Sequence, residues 1–257
     1  MIQTQRKQQQ MNEEIYHICT LLKLRGMAEE YQRQTMSVES REASFDSRFL
    51  SILLAERHHQ ANRRIQRLLK QAHFKVKADI HQIDYHTSRG VDATVFANLT
   101  GLEWLKAHQN ICFTGPSGVG KTWLACALGH EACMQGIPTV FKKVSLLLEE
   151  LVMAQIAGNL GKAFNALGRF PLLILDDWAL EAYKPEEQKL LFELIDERHN
   201  SHSTIITSLL PMNHWHDMFD NKGRADSMMD RLFSNTHRIN LQGASMRKMQ
   251  PLRTEAG

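Results

Sequence analysis

One short segment constrains the fold of this chain more than any other. It reads Gly115-Pro116-Ser117-Gly118-Val119-Gly120-Lys121-Thr122 and fits the pattern G-x-x-x-x-G-K-[ST] in full. A predicted strand at residues 111–114 precedes it, and a predicted helix at residues 121–135 follows. A glycine-rich loop in that setting turns backbone N–H groups and the positive end of the helix toward an anion. The segment therefore predicts a phosphate-binding loop in an α/β fold.

The loop indicates a nucleoside triphosphate as its ligand. We expect all eight residues from Gly115 to Thr122 to bind this triphosphate. Lys121 is predicted to reach the β- and γ-phosphates and to take part in catalysis, and Thr122 to give its hydroxyl to Mg²⁺. The alternative is a glycine-rich turn with an accidental lysine, which the strand and the helix on either side disfavour.

A second apolar run ends in two carboxylates. Residues 172–175 are Leu-Leu-Ile-Leu, and Asp176 and Asp177 follow directly. Ligands of open α/β sheets bind at the carboxyl ends of the strands. Asp176 is therefore predicted to join the Mg²⁺ shell, and Asp177 to orient or deprotonate the attacking water. Strands also end in Asp because Asp favours turns, so a purely structural role stays open for both acids.

Two later segments add candidates for catalysis. The predicted strand at residues 204–208 ends in hydroxyls, and Ser208 is expected to hold the attacking water or to contact the γ-phosphate. A strand with polar end residues is the alternative. Arg231 lies in a predicted helix and is expected to stabilise charge on a γ-phosphate across a subunit boundary. The competing interpretation is a surface arginine in an ordinary ion pair. Arg247 is a further candidate of the same kind.

The order of the predicted elements defines the fold class. Residues 1–72 read as helices, and a long helix from about Ser44 is predicted to bury Phe45, Phe49 and Leu53. After Asn110, strands alternate with helices, which predicts a parallel sheet flanked by helices on both faces. We expect a helical domain at 1–78 and an α/β domain at 79–257, with 79–100 as the connection. The strands are predicted at residues 111–114, 139–141, 172–176, 204–208 and 238–241, and the helices between them at 121–135, 145–157, 185–200 and 225–233.

Positive charge is concentrated in the helical part of the chain. The net charge is +3, and the segment from Arg57 to Ala78 contains seven cations and no acidic residue. Such a row suits the backbone of duplex DNA, bound without sequence readout and more weakly as salt rises. A charge run by itself more often means a solvated helix face, and that interpretation stays open here. The candidate contacts with a phosphate backbone are Arg63, Arg67 and Lys70, which share one helical face, together with Arg64; the family resemblance given below favours DNA as their partner.

Composition excludes several other classes. Apolar residues make up 43% and charged residues 23% of the chain, which is globular composition and excludes wholesale disorder. The longest aliphatic run, at residues 172–175, is too short to cross a bilayer, so no membrane partner is expected. The chain opens without a charged-then-apolar leader, and its four cysteines form no C-x-x-C pair. We therefore expect a cytoplasmic protein.

Five motifs, taken in order, resemble a known family. They are G-P-S-G-V-G-K-T, L-L-I-L-D-D-W, T-I-I-T-S, M-D-R-L and G-A-S-M-R-K. Together they resemble the IstB-like ATPases, AAA+ helper proteins of a bacterial insertion-sequence family that are related to the DnaC-type helicase loaders. The resemblance covers about residues 10–250.

The resemblance implies an AAA+ fold and an ATP-dependent, DNA-bound homo-oligomer that works with a cognate transposase and directs insertion. For this sequence it implies that Asp176 and Asp177 are the metal and water acids. It implies further that Ser208 is a sensor and that Arg231 acts in trans. The sequence departs from the pattern at Asp177, where most AAA+ proteins carry Glu, and at Ala179, where many relatives have Gly.

Three other functions stay open at this point. A DnaC-type replicative helicase loader shares nearly every motif and differs in its partner. A DNA scaffold gated by nucleotide without hydrolysis is compatible with the shorter acid at Asp177, whereas our main hypothesis is a slow, DNA-stimulated ATPase. A P-loop kinase acting on a small molecule would need an acceptor pocket and an arginine-rich lid, and the sequence contains no segment for either.

Overall fold

The protein is described by a computed structural model over residues 2–37, 42–85 and 90–246. The chain divides between Arg67 and Leu68 into two compact units. This division lies before the predicted boundary at 78/79. The reason is that Leu68 and Ala72, at the end of a long helix, already pack against Cys133 of the second unit.

The first unit is helical, as predicted. Gly26 on its second helix approaches the third helix so closely that a Cβ atom there would lie 2.5 Å from the carbonyl oxygen of Ala55. The Glu56 carboxylate accepts a hydrogen bond from the backbone N–H of Met27 at 3.1 Å. Gly26 is therefore a point of contact between helices. The helices are α1 (Ile2–Leu21), α2 (Arg25–Met36) and α3 (Phe45–Ala72), whose last turn belongs to the second unit.

The buried side of α3 is only partly the predicted one. Leu68 is buried, but the exposed fractions are 76% for Phe45, 45% for Phe49 and 44% for Leu53. Phe45 and Phe49 stack on each other with their ring centroids 5.8 Å apart. A helical period identifies an apolar face, but that face is buried only where a second element covers it.

The second unit is built on a parallel sheet, which confirms the predicted α/β class. In the described part of the chain the sheet has five strands in the order β2-β3-β4-β1-β5, and every neighbouring pair is parallel. The first and third strands of the chain therefore end at the same edge of the sheet, on either side of the fourth. The strands are β1 (Asn110–Thr114), β2 (Thr139–Lys143), β3 (Leu172–Trp178), β4 (Ser203–Ser208) and β5 (Thr236–Asn240).

Helices cover both faces of this sheet. On β3, Leu173 and Leu175 belong to one hydrophobic cluster, whereas Leu172 and Ile174 belong to the other, as the period of two in a strand requires. The helices are α4 (Ala93–Thr100), α5 (Glu103–Lys106), α6 (Lys121–Met134), α7 (Val144–Ile156), α8 (Leu160–Leu167), α9 (Pro185–Arg198) and α10 (Lys222–Phe233), with short 3₁₀ helices at Ile80–Gln82 and Met212–Met218.

The segment predicted as a connection, residues 79–100, contains a helix of the core. The helix α4 begins after Asp92, whose carboxylate accepts hydrogen bonds from the N–H groups of Thr94 and Val95. Its Phe96 and Leu99 are buried. Two apolar residues three positions apart are too few to establish a helical period, which is why the sequence pattern missed this helix.

Candidate nucleotide-binding and catalytic site

The phosphate loop joins the end of β1 to the start of α6, where the sequence predicts it. Gly118 adopts φ 84°, in the left-handed region, and a Cβ atom there would collide with the Ser245 hydroxyl. The N–H of Met246 donates a hydrogen bond to the Gly118 carbonyl at 2.9 Å. The segment after β5 therefore covers the loop so closely that only glycine fits at position 118.

Lys121 folds over its own loop. Its Nζ donates hydrogen bonds to the carbonyl oxygens of Gly115 at 2.7 Å and Pro116 at 2.8 Å, and the residue is buried. A phosphate would offer this ammonium ionised acceptors, which form stronger hydrogen bonds than neutral carbonyls do. The geometry thus keeps a cation beside the loop amides, as triphosphate binding requires.

Thr122 and Asp176 lie together although they are far apart in sequence. The Thr122 hydroxyl donates a hydrogen bond to Asp176 Oδ1 at 2.6 Å, and Asp176 is fully buried. A hydroxyl and a carboxylate in contact at the mouth of a phosphate loop are hard oxygen ligands of the kind that Mg²⁺ prefers. These residues fit the predicted metal.

A β-bulge in β3 brings the second acid to the same site. The register between β3 and β4 shifts between Leu175 and Trp178, so that Asp176 and Asp177 together stand opposite Thr207. In a regular strand two consecutive side chains point to opposite faces, and an extra residue breaks this alternation. Asp177 adopts φ 61°, a conformation that Asp tolerates better than most residues.

Thr207, rather than Ser208, is the hydroxyl of β4 that reaches the acids. Thr207 Oγ1 donates to Asp176 Oδ1 at 2.7 Å and accepts the N–H of Asp177 at 3.2 Å. Ser208 is fully buried and donates its hydroxyl to the Trp178 carbonyl at 2.7 Å. Neighbouring strand residues face opposite sides, so Thr207 contacts the Asp176 carboxylate and Ser208 does not. The role of Ser208 as a sensor stays a prediction.

Two lysines that the sequence did not assign to the site contact its acids. Lys75 Nζ lies 2.8 Å from Asp176 Oδ2 and 4.0 Å from Asp177 Oδ2. Lys143 Nζ lies 3.6 Å from Asp177 Oδ2. The sequence could have indicated Lys143 as a site residue, because it is the last residue of β2 and the parallel strands end at the same edge of the sheet. Nothing in the sequence indicated Lys75, because it lies in the basic run that was interpreted as a DNA contact.

Arg231 lies on α10 and turns toward α9. Its Nε donates a hydrogen bond to Asp196 Oδ1 at 2.5 Å, and the guanidinium carbon lies 5.0 Å from the centroid of the Phe192 ring. Another guanidinium nitrogen donates to the Ser227 carbonyl at 2.9 Å. Within one chain Arg231 is therefore an ion-paired arginine, and its role across a subunit boundary stays a prediction. Arg247 lies outside the described residues.

The cations predicted to contact DNA are all exposed. Arg63, Arg64, Arg67 and Lys70 lie along the second half of α3. Exposed cations on one continuous helix are suited to a phosphate backbone, and their role stays a prediction. Among the helices that the structure describes, none is both long and apolar enough to cross a bilayer.

The fold and the site together define an AAA+ P-loop ATPase. Solved structures with this fold include the DnaC helicase loader, with TM-score 0.52, 21% identity, and coverage of 64% of this chain and 96% of that chain. DnaI matches with TM-score 0.54 and 18% identity, over 70% of this chain and 92% of that chain. AMPPCP-bound DnaA from Aquifex aeolicus matches with TM-score 0.56 and 18% identity, over 68% of this chain and 53% of that chain. At these identities the likeness shows the fold alone.

The chain belongs to the family of IstB-like ATP-binding proteins, whose family model matches residues 18–254. An insertion sequence ATP-binding protein of Sinorhizobium fredii is 39% identical over 228 residues, which cover 88% of this chain and 93% of the relative. The ATP-binding protein of insertion sequence IS1162 from Pseudomonas fluorescens is 40% identical over 191 residues, 74% of this chain and 83% of the relative. The protein is thus an AAA+ ATPase of the insertion-sequence type, which confirms the resemblance of the motifs.

Proposed function

We propose that this protein assembles on duplex DNA when it binds ATP and that the assembly assists a transposase in selecting and using a target site. The observation that carries the proposal is the convergence of Lys121, Thr122, Asp176 and Asp177 at one edge of the sheet. These groups supply a phosphate-binding cation, a metal site and an acid for water activation. Such a set is what ATP hydrolysis needs within one subunit.

Each residue of the site has a task in hydrolysis. The loop amides and Lys121 would bind the phosphates, while Thr122 and Asp176 would hold Mg²⁺. When bound, Mg²⁺ neutralises charge that develops on the β- and γ-phosphate oxygens. Thr207 fixes the Asp176 carboxylate through its hydroxyl, and Asp177 orients the attacking water. Because Asp is one methylene shorter than Glu, we expect slow turnover.

DNA binding and assembly rest on two further observations. The exposed cations of α3 suit a nucleic acid backbone. Within a single subunit, Arg231 on α10 forms an ion pair with Asp196. This ion pair is partly exposed, with 29% of the Arg231 side chain and 50% of the Asp196 side chain accessible, and such pairs contribute little stability, so the arginine is available to a neighbouring subunit's γ-phosphate. The transposase as partner rests on the relatives, which are named as proteins of insertion sequences.

The rate of ATP hydrolysis tests this function directly. We expect slow turnover by the protein alone and a rate about 100-fold higher or more with duplex DNA, because assembly places Arg231 at a neighbour's site. Electron microscopy with duplex DNA and a non-hydrolysable ATP analogue should show oligomers on the DNA. The proposal would be contradicted if duplex DNA left the rate of ATP hydrolysis unchanged and if the protein stayed monomeric with nucleotide and DNA present.

The identity of the partner is tested separately. A replicative helicase loader is the second candidate, since a DnaC-type loader shares the fold. Affinity capture should be carried out with a purified insertion-sequence transposase and with a purified replicative helicase. We expect ATP-dependent capture of the transposase. Capture of the helicase alone would make the protein a loader and leave the ATPase chemistry unchanged.

Replacement of Arg231 by alanine should preserve ATP affinity and reduce DNA-stimulated turnover by at least about 100-fold, since an arginine acting on the γ-phosphate contributes that much or more. Arg224→Ala, on the same helix, is the control and should keep normal turnover. Mixing Arg231→Ala with Asp177→Asn subunits tests action in trans, because only mixed interfaces combine an intact acid with an intact arginine. Turnover regained in the mixture supports the role in trans, and a mixture as inactive as its components would contradict it.

A further inference from the structure

The segment after α3 runs along one face of α6 toward the metal site. Thr122, Cys126, Gly129 and Cys133 recur at intervals of four, three and four residues and therefore share one side of that helix. Residues 68–76 cover this side from Cys133, which packs against Leu68 and Ala72, to Cys126, and Lys75 continues to Asp176. A continuous stretch of chain thus connects the end of α3 with the acids of the nucleotide site.

The packing of this stretch is specific at each step. Gly129 leaves room for the Phe74 ring, since a Cβ atom on Gly129 would lie 2.7 Å from the ring. Burial raises the pKa of the Cys126 thiol to about 11, and backbone hydrogen bonds at Val76 and Lys75 act in the opposite direction. The thiol is therefore neutral and in contact with the backbone of the stretch. These contacts fix the position from which the Lys75 side chain extends.

Lys75 holds the carboxylate on which the metal depends. The hydroxyls of Thr122 and Thr207 bond Asp176 Oδ1, and the Lys75 ammonium bonds Oδ2 at 2.8 Å. The same ammonium is 4.0 Å from Asp177 Oδ2. Asp176 is fully buried, whereas the Lys75 side chain is 45% exposed. The cation is therefore the partner of the pair that solvent reaches.

A magnesium ion at Thr122 and Asp176 would conflict with this ammonium. A divalent and a monovalent cation on one carboxylate lie a few ångströms apart, where like charges repel strongly in a poorly solvated site. We propose that Lys75 is a built-in counter-cation of the metal site, which stabilises the two acids without Mg²⁺ and is displaced when Mg²⁺ and ATP bind. The inference rests on the proposed nucleotide site. It makes Lys75 a positioning residue that sets the Mg²⁺ requirement.

The first test is the Mg²⁺ dependence of nucleotide binding in the Lys75→Met variant. A fluorescent, non-hydrolysable ATP analogue is kept at constant concentration while Mg²⁺ is titrated into the full-length protein. The midpoint is the Mg²⁺ concentration at which half of the Mg²⁺-dependent binding is reached. Removing the competing ammonium should lower this midpoint by about tenfold, which is the effect expected from the loss of one partly buried ion pair. Lys75→Arg retains the cation and should stay near the wild-type midpoint. Lys77→Met removes the same charge two residues away and should leave the midpoint unchanged.

The second test measures the stretch itself. Hydrogen exchange of the amides at residues 74–77 should accelerate in the wild-type protein when Mg²⁺ and the analogue are added, because the side-chain anchor is released. In Lys75→Met these amides should exchange faster already without Mg²⁺. Thermal unfolding of each variant checks that the fold is retained.

The outcomes separate this inference from the proposed function. If Lys75→Met binds the analogue but its Mg²⁺ midpoint is unchanged or raised, the counter-cation role is overturned and the nucleotide site stands. If neither the wild-type protein nor the variant binds the analogue, the proposed nucleotide site itself fails.

Discussion

Replacement of Lys121 by alanine is expected to abolish ATP hydrolysis and to weaken ATP binding severely. Its ammonium is the cation held within the phosphate loop, bonded to the carbonyls of Gly115 and Pro116. Loss of a positioned charge on the transferred phosphate costs about 100-fold or more in turnover, and the ground-state contact to the β- and γ-phosphates is lost as well. Single-turnover hydrolysis and equilibrium binding of a fluorescent ATP analogue measure the two effects.

The control for this variant is Lys162→Ala. Lys162 is an exposed lysine on α8, a helix that does not include the phosphate loop. Its replacement by alanine should change neither ATP affinity nor turnover. Thermal unfolding of Lys121→Ala should show a cooperative transition, which checks that the variant retains the fold. A Lys121→Ala protein with near-normal ATP affinity and turnover would remove the basis for an ATPase.

The second large effect is expected from reversing charge on α3. A protein with Arg63, Arg67 and Lys70 all replaced by Glu should bind duplex DNA about 100-fold more weakly or worse near 0.1 M salt, because three phosphate contacts become repulsive. The slope of log affinity against log salt should fall by about three, since fewer counterions are released on binding. Fluorescence anisotropy with a labelled duplex over a range of salt measures both quantities.

A matched variant separates local contact from net charge. Glu at Lys162, Arg169 and Lys222 changes the net charge by the same amount at exposed positions of the second unit. DNA affinity should then change only slightly, because these positions contribute none of the proposed phosphate contacts. If the α3 variant keeps wild-type affinity and the control loses it, the DNA contact lies on the ATPase unit and the interpretation of α3 is wrong.

Much of the ATPase fold could be predicted from the sequence because its signals are local. The phosphate loop can be recognised from its residue types and their spacing, and it lies between the predicted β1 and α6. Apolar runs locate all five strands to within a few residues of their ends in the described part of the chain. The short helix α4 escaped prediction, since Phe96 and Leu99 become recognisable as core residues only when the sheet is present to receive them.

The arrangement of the catalytic side chains could not be predicted from local sequence patterns. Two adjacent aspartates predict an acidic strand end, but a regular strand would direct one of them away from the other. The bulge opposite Thr207 allows both to reach one ammonium, and it results from the pairing of β3 with β4. The same pairing decides that Thr207, and not Ser208, contacts Asp176.

The sequence by itself determined that this chain binds a triphosphate, which residues form the loop, and that an α/β sheet follows a basic helical segment. Those properties depend on residue types at short spacing, where backbone geometry leaves few choices. Only the tertiary structure decided that Lys75 pairs with Asp176, that Thr207 supports the metal acid, and that the units divide at Arg67. These features join residues far apart along the chain, and their contacts exist only once strand register and helix packing are fixed.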